Sequence, residues 1–151
     1  VRFLIELLGH MMAYLFIALV LGAFGFFPVP YDLGFLMLGW FYYAAFTFAV
    51  GVVVAPLSEI SEVVEKIMPV TIYIMIPFSG AFYLVSSLYD SAAAAVLYSP
   101  PVHGMEMMRY GVFGPSIDPQ FDYLYPLTFI LPCMLLGLLL CRYVRRDLVV
   151  E

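Results

Sequence analysis

The chain has 151 residues, of which 65% are hydrophobic and 11% charged, with a formal net charge of −5. Soluble domains are about 45–50% apolar and about 25% charged, and a small globule in water cannot hide this much apolar side chain in one core. With a mean hydropathy of +1.04 and a pI near 4.8, the chain reads as an integral membrane protein. A disordered chain, a disulfide-stapled secreted domain and a nucleic-acid binder are all excluded.

Taken in order, the chain opens on Val1 without a basic region leading into a cleavage site. No signal peptide is expected, and the missing Met points to residues upstream. Charges then punctuate the sequence. Between Glu6 and Asp32 there are 25 residues with no formal charge, His10 aside; from Leu33 to Ser58 there are 26, from Ile67 to Tyr89 there are 23, and from Tyr123 to Cys141 there are 19. A hydrocarbon core about 30 Å thick needs about 20 helical residues. Four transmembrane helices are therefore expected, over about 7–28, 34–57, 67–89 and 123–141, in one all-α transmembrane domain covering residues 1–151.

The stretch Ser91 to Pro101 is too short to cross and ends in Pro100-Pro101. Residues 90–122 thus form one outer segment, with short helices expected at 91–98 and 102–110, arranged as a re-entrant or interfacial hairpin. Its apolar content (Val96, Leu97, Val102, Met105, Met107, Met108) argues against disorder. Of the six Lys and Arg residues, Arg2, Lys66, Arg142, Arg145 and Arg146 fall at the two ends and in the turn 59–66. Only Arg109 falls elsewhere. By the positive-inside rule both ends of this chain are cytoplasmic. The third run carries Pro69, Pro77 and Gly80 and the last carries Pro132, so broken helices facing protein or a wet cavity are expected.

Few polar groups are available for chemistry. His103, Glu106 and Arg109 recur every third residue along one side of a short helix, where Glu106 can pair with Arg109. One reading is a staple of that helix; the other is a polar gate for sugar hydroxyls or an anionic substrate. Because an ion at the hydrocarbon centre is costly, the trio is expected at the outer interface or against a wet cavity. His-x-x-Glu lacks a third ligand at regular spacing, so no metal site is expected. In the turn 59–66, Ser58 or Ser61 can cap a helix whose first turn holds acids, or Glu59 and Glu62 can form a docking surface. Aromatics such as Tyr73, Phe78, Phe82 and Tyr83 read mostly as packing, with some able to line a conduit and stack on sugar rings. Cys133 and Cys141, eight apart in an apolar run, read as packing thiols. No Gly-Lys-Ser/Thr phosphate loop, Gly-x-Ser-x-Gly or Cys-x-x-Cys occurs, so the driving energy is not harvested here.

The run Tyr98-Ser99-Pro100-Pro101-Val102-His103-Gly104-Met105-Glu106-Met107-Met108-Arg109 resembles the Asn-Pro-Leu-Val-His-x-x-Glu-x-x-Arg stretch of the membrane subunits of ABC-type capsular polysaccharide exporters. Ser99-Pro100-Pro101 departs from Asn-Pro-Leu at the hinge. Pro69 through Phe82 resembles that family's kinked fifth span, Glu59-x-x-Glu62-Val63-Val64 its cytoplasmic turn, and Arg142 to Arg146 its basic end. The resemblance implies spans three to six of a six-span permease, with the segment after span five forming gate helices at the outer mouth. It implies a permease that is not an enzyme by itself and holds no cofactor. It would work as a homodimer with two ATP-binding cassette subunits, which bind ATP and Mg. The complex would pass a lipid-linked polysaccharide through the bacterial inner membrane to a periplasmic co-polymerase and an outer-membrane channel. On this reading His103, Glu106, Arg109, Tyr73 and Phe82 belong to the substrate path or gate, and Glu59 and Glu62 to the ATPase-docking turn. An O-antigen or teichoic-acid permease is the neighbouring alternative. A membrane-embedded lipid- or sugar-modifying enzyme using His103 and Glu106 as acid and base is the alternative from another class.

Overall fold

A computed structural model describes residues 2–26 and 28–148. The described residues form six α-helices and no strand: α1 (Arg2–Ala23), α2 (Leu33–Ile60), α3 (Glu62–Met75), α4 (Asp90–Leu97), α5 (Pro100–Phe113) and α6 (Tyr125–Leu148). Among them α1, α2 and α6 are long and apolar enough to cross a membrane. The protein is an all-α integral membrane protein.

Local chemistry sets the helix ends. Asp32 caps α2, its carboxylate accepting from the backbone N–H of Gly34 at 2.7 Å and of Phe35 at 3.2 Å. The helix stops where Ser61 turns extended. Ser61 stands at the N-cap position of α3 but makes no side-chain cap bond there, and the Ser58 hydroxyl donates back to Val54 O at 3.1 Å. Neither serine therefore provides the expected cap. Glu62 and Glu65 lie in the first turn of α3, where the helix dipole favours them. Pro100 and Pro101 open α5, where a missing N–H costs nothing.

The third expected span differs from a single crossing helix. α3 starts before it, at Glu62, tolerates Pro69 and ends at Met75. Its 14 residues extend about 21 Å, short of a hydrocarbon core of about 30 Å. Pro77 supplies no N–H to continue the ladder, so a 3-10 turn follows over Pro77–Ser79. Gly80 then takes a left-handed conformation (φ 78°), which only glycine adopts without strain. The chain continues through a second 3-10 turn, Val85–Ser87, into α4. The apolar run from Ile67 to Tyr89 is thus a helix, a break and a return rather than one rod. The two short helices expected in the next segment are present as α4, shifted by one residue, and α5, longer than its expected limits at both ends.

α2 is the element that the others share. α5 lies antiparallel along its first half, with Gly111 against Leu36 and Gly104 against Gly39 and Tyr43. α6 runs parallel to it, bringing Gly137 against Val52 and Phe129 within 6.2 Å of Phe46, ring to ring. Glycines permit this approach: a Cβ on Gly39 would sit 2.5 Å from Gly104 O, and one on Gly111 2.4 Å from Leu36 N. Close backbone contact through small residues is how helices gain van der Waals energy in lipid, where burial from water no longer drives association. Two further bonds stitch the strand-like lead into α2 to the end of α5, Tyr31 N–H to Val112 O at 3.3 Å and Asp32 N–H to Gly111 O at 2.8 Å. α1 and α3 present mostly exposed apolar side chains, as surfaces facing lipid do.

Candidate functional site

α5 is the most enclosed helix of the described chain. Although short, it buries Val102, His103, Glu106, Met107 and Val112. Its charged residues are therefore inside protein. His103 is 4% exposed and Glu106 0%, and the Arg109 side chain is 15% exposed. The i, i+3 spacing delivers the expected ion pair, Arg109 Nη1 donating to Glu106 Oε1 at 2.7 Å. Burial raises the stakes of that pair far above those of a surface staple, because a charge left alone there cannot be solvated.

The remaining donors and acceptors of the trio reach backbone groups on other elements. Arg109 Nη2 donates to Gly80 O and, at 3.1 Å, to Ala81 O. Glu106 Oε1 also accepts from the Val85 N–H at 3.4 Å. These are the backbone groups that the break after α3 leaves without helical partners, and no apolar side chain could satisfy them. Beside them, the Ser99 hydroxyl donates to Phe78 O at 2.7 Å. Two polar atoms here, Glu106 Oε2 and the Tyr83 hydroxyl, are buried without a hydrogen-bond partner among the described residues.

His103 is separate in its bonding. Its Nε2 donates to Leu97 O at 2.8 Å, and its Nδ1 accepts from the Asp122 N–H at 2.9 Å. That pattern requires the neutral ring with its proton on Nε2. The ring packs at 5.1 Å from Tyr125, so it joins the end of α4 to the start of α6. With both nitrogens engaged by backbone, the imidazole has neither a free lone pair nor a free proton for acid–base work. Asp122 in turn accepts from the N–H groups of Leu124 at 2.7 Å and Tyr125 at 3.2 Å. Those two bonds hold its carboxyl below the ordinary carboxylate range.

The other residues singled out by sequence lie apart from this core. Tyr73 on α3 is 74% exposed and Phe82, next to Ala81, is 78% exposed. Glu59 is exposed near the end of α2, and Glu62 is exposed and pairs with Lys66 at 3.4 Å. Cys133 and Cys141 are free thiols, half-buried, and Cys141 contacts Val52 O at 3.7 Å. Among the described residues no three of His, Cys, Asp and Glu converge as a metal site would need. Sequence reasoning gave Ser99 and Asp122 no site role, read Tyr83 only as a packing or conduit aromatic, and missed every backbone partner of the trio. The one signal pointing to them was the proline and glycine break, which frees carbonyls in need of donors.

Comparison with known proteins places this arrangement in context. No family model and no solved structure matches the chain. Curated relatives do. The capsule polysaccharide export inner-membrane protein BexB of Haemophilus influenzae is 30% identical over 141 residues, covering 93% of this chain and 53% of that protein. CtrC, the protein of the same description from Neisseria meningitidis serogroup A, is 34% identical over 137 residues, or 91% of this chain and 52% of that protein. Its serogroup B counterpart is 31% identical over the same length. The chain is a homologue of these capsule polysaccharide export inner-membrane proteins across most of its own length. It spans about half the length of the relatives it matches.

Proposed function

From this kinship we propose that the chain forms part of the membrane subunit of an ATP-driven ABC exporter that moves capsular, lipid-linked polysaccharide across the bacterial inner membrane. The observation that carries the reading is the homology to named export proteins of the inner membrane. It is supported by an all-helical fold with apolar helices of crossing length. In this reading the protein is a transport subunit, works as a homodimer, and receives its energy from separate ATP-binding cassette subunits docked at the turn carrying Glu59 and Glu62. Both ends of the chain face the cytoplasm. The α4–α5 hairpin stands at the outer mouth as a gate, from which polysaccharide passes to a periplasmic co-polymerase and an outer-membrane channel, and the exposed rings of Tyr73 and Phe82 are available to stack on sugars. The engagement of both His103 nitrogens by backbone weighs against the enzyme alternative, which needs that ring as acid or base.

Purification of the intact protein with and without its cassette subunit tests the reading. ATP hydrolysis is expected only in the complex, and deletion of the gene is expected to remove surface capsule. Specific hydrolysis by the membrane subunit alone, or normal capsule in the deletion strain, would refute it.

A further inference from the structure

The side chains of Ser99, Glu106 and Arg109 all do the same thing: each bonds a backbone group in the irregular segment 78–85. Ser99 takes Phe78 O, Arg109 takes Gly80 O and Ala81 O, and Glu106 takes the Val85 N–H. Gly80 completes the fit, since a Cβ there would come within 3.3 Å of Val102 Cα on α5. The connection is long-range, 21 residues for Ser99 and Glu106 and up to 29 for Arg109, so it is tertiary and not a local staple of α5. The segment's other anchors are the fully buried Val85, with Tyr83 packed on the same cluster, and local bonds through Ser79. Its helix has ended, its flanks Phe78 and Phe82 are exposed, and its buried anchor, Val85, packs with Ala93 and Val102.

We propose that Glu106, Arg109 and Ser99 are positioning residues that latch the broken segment 78–85 onto α5, so that the segment and the α4–α5 hairpin move as one body. The inference stands on geometry and holds whether or not the exporter reading does. Glu106 supplies the fixed charge that aims the guanidinium, and the planar fork of Arg109 spans two successive carbonyls as well as the carboxylate, which a single ammonium would not do. The latch holds two kinds of orphan at once: carbonyls without donors and an amide without an acceptor. Among the described residues Glu106 Oε2 and the neighbouring Tyr83 hydroxyl have no hydrogen-bond partner, so the network there is not a closed lattice of bonds.

The test uses the intact protein in lipid nanodiscs, with Cys133 and Cys141 changed to Ala and spin labels replacing the exposed Phe82 and Phe113. The double variant Glu106→Leu with Arg109→Met removes the latch without stranding a buried charge, because Leu cannot accept and Met cannot donate. In the unaltered protein one narrow distance distribution is expected. In the double variant a second, longer population should appear, and the Val85 amide should exchange faster, while amides of α2 and α6 keep their protection. A double variant that inserts normally yet keeps the narrow distribution and slow Val85 exchange overturns the proposal. Should that variant fail to insert, Ser99→Ala decides: it removes only the Phe78 link and is expected to broaden the distribution. An unchanged distribution in Ser99→Ala then overturns the proposal.

Discussion

At the scale of single residues, burial decides what the ion pair is worth. Exposed pairs of this spacing contribute about 0–1 kcal/mol, which is the value the i, i+3 pattern alone would suggest. With Glu106 fully enclosed, removing only its partner leaves an uncompensated charge, at a cost of about 3–5 kcal/mol. Arg109→Ala is therefore expected to lower stability by that amount, and Glu106→Gln with Arg109→Gln by much less than the sum of the single changes. Chemical unfolding in detergent, arranged as a double-mutant cycle, measures the difference; additive losses would show that the pair is not coupled. His103 invites a second substitution. His103→Ala removes the donor to Leu97 O and the acceptor of the Asp122 N–H, two part-buried bonds, at about 0.5–1.5 kcal/mol per lost bond. His103→Gln can restore one of the two bonds and should recover part of the loss in the same assay.

The element scale is where the sequence was most and least legible. Charge-free runs pointed to α1, α2 and α6, because hydrophobic length is written locally; the Asp32 cap of α2 was seen only in the structure. The run Ile67 to Tyr89 looked equally apolar, yet an apolar run records only a preference for lipid, not continuity of the backbone. What breaks it, Pro77 and Gly80, is visible in the sequence. What makes the break tolerable is not, because Arg109, Glu106 and Ser99 lie 21 to 29 residues away and bind backbone groups that carry no residue signature. The same holds for His103, whose partners are a carbonyl and an amide. The i, i+3, i+6 spacing of the trio was legible; that it turns inward was not. Helix contact through glycine gives the prediction proper to this scale. Gly111→Leu forces side-chain atoms into the backbone at Leu36 and should separate α5 from α2, costing at least about 1–3 kcal/mol. Hydrogen exchange should show α5 losing protection while α6 keeps it; a uniform loss would mean that α5 does not pack as a separate unit.

For the whole molecule, the directions of the helices and the distribution of charge agree. α5 runs against α2 and α6 runs with it, so Asp32, Phe113 and Tyr125 gather at one end and Ile60 and the basic end of α6 at the other. Five of the six Lys and Arg residues belong to the second end or to Arg2, and under the positive-inside rule this bias is the basis of the proposed cytoplasmic placement of that end. A cysteine placed at Asp118 in a background lacking Cys133 and Cys141 should therefore react with a membrane-impermeant thiol reagent in intact cells. Reaction only after the cytoplasmic side is opened would reverse the orientation.

The two amide bonds from Tyr31 and Asp32 to the end of α5 have a practical consequence for engineering. They moor the start of α2 before its first turn. Val29 in that stretch is 89% exposed, and Asp32 secures the helix start independently through its carboxylate. An epitope inserted after Val29 should leave expression and thermal stability at the level of the untagged protein, giving an antibody handle on the same side as Asp118. A large fall in either quantity would mean that the mooring is weaker than its two bonds imply.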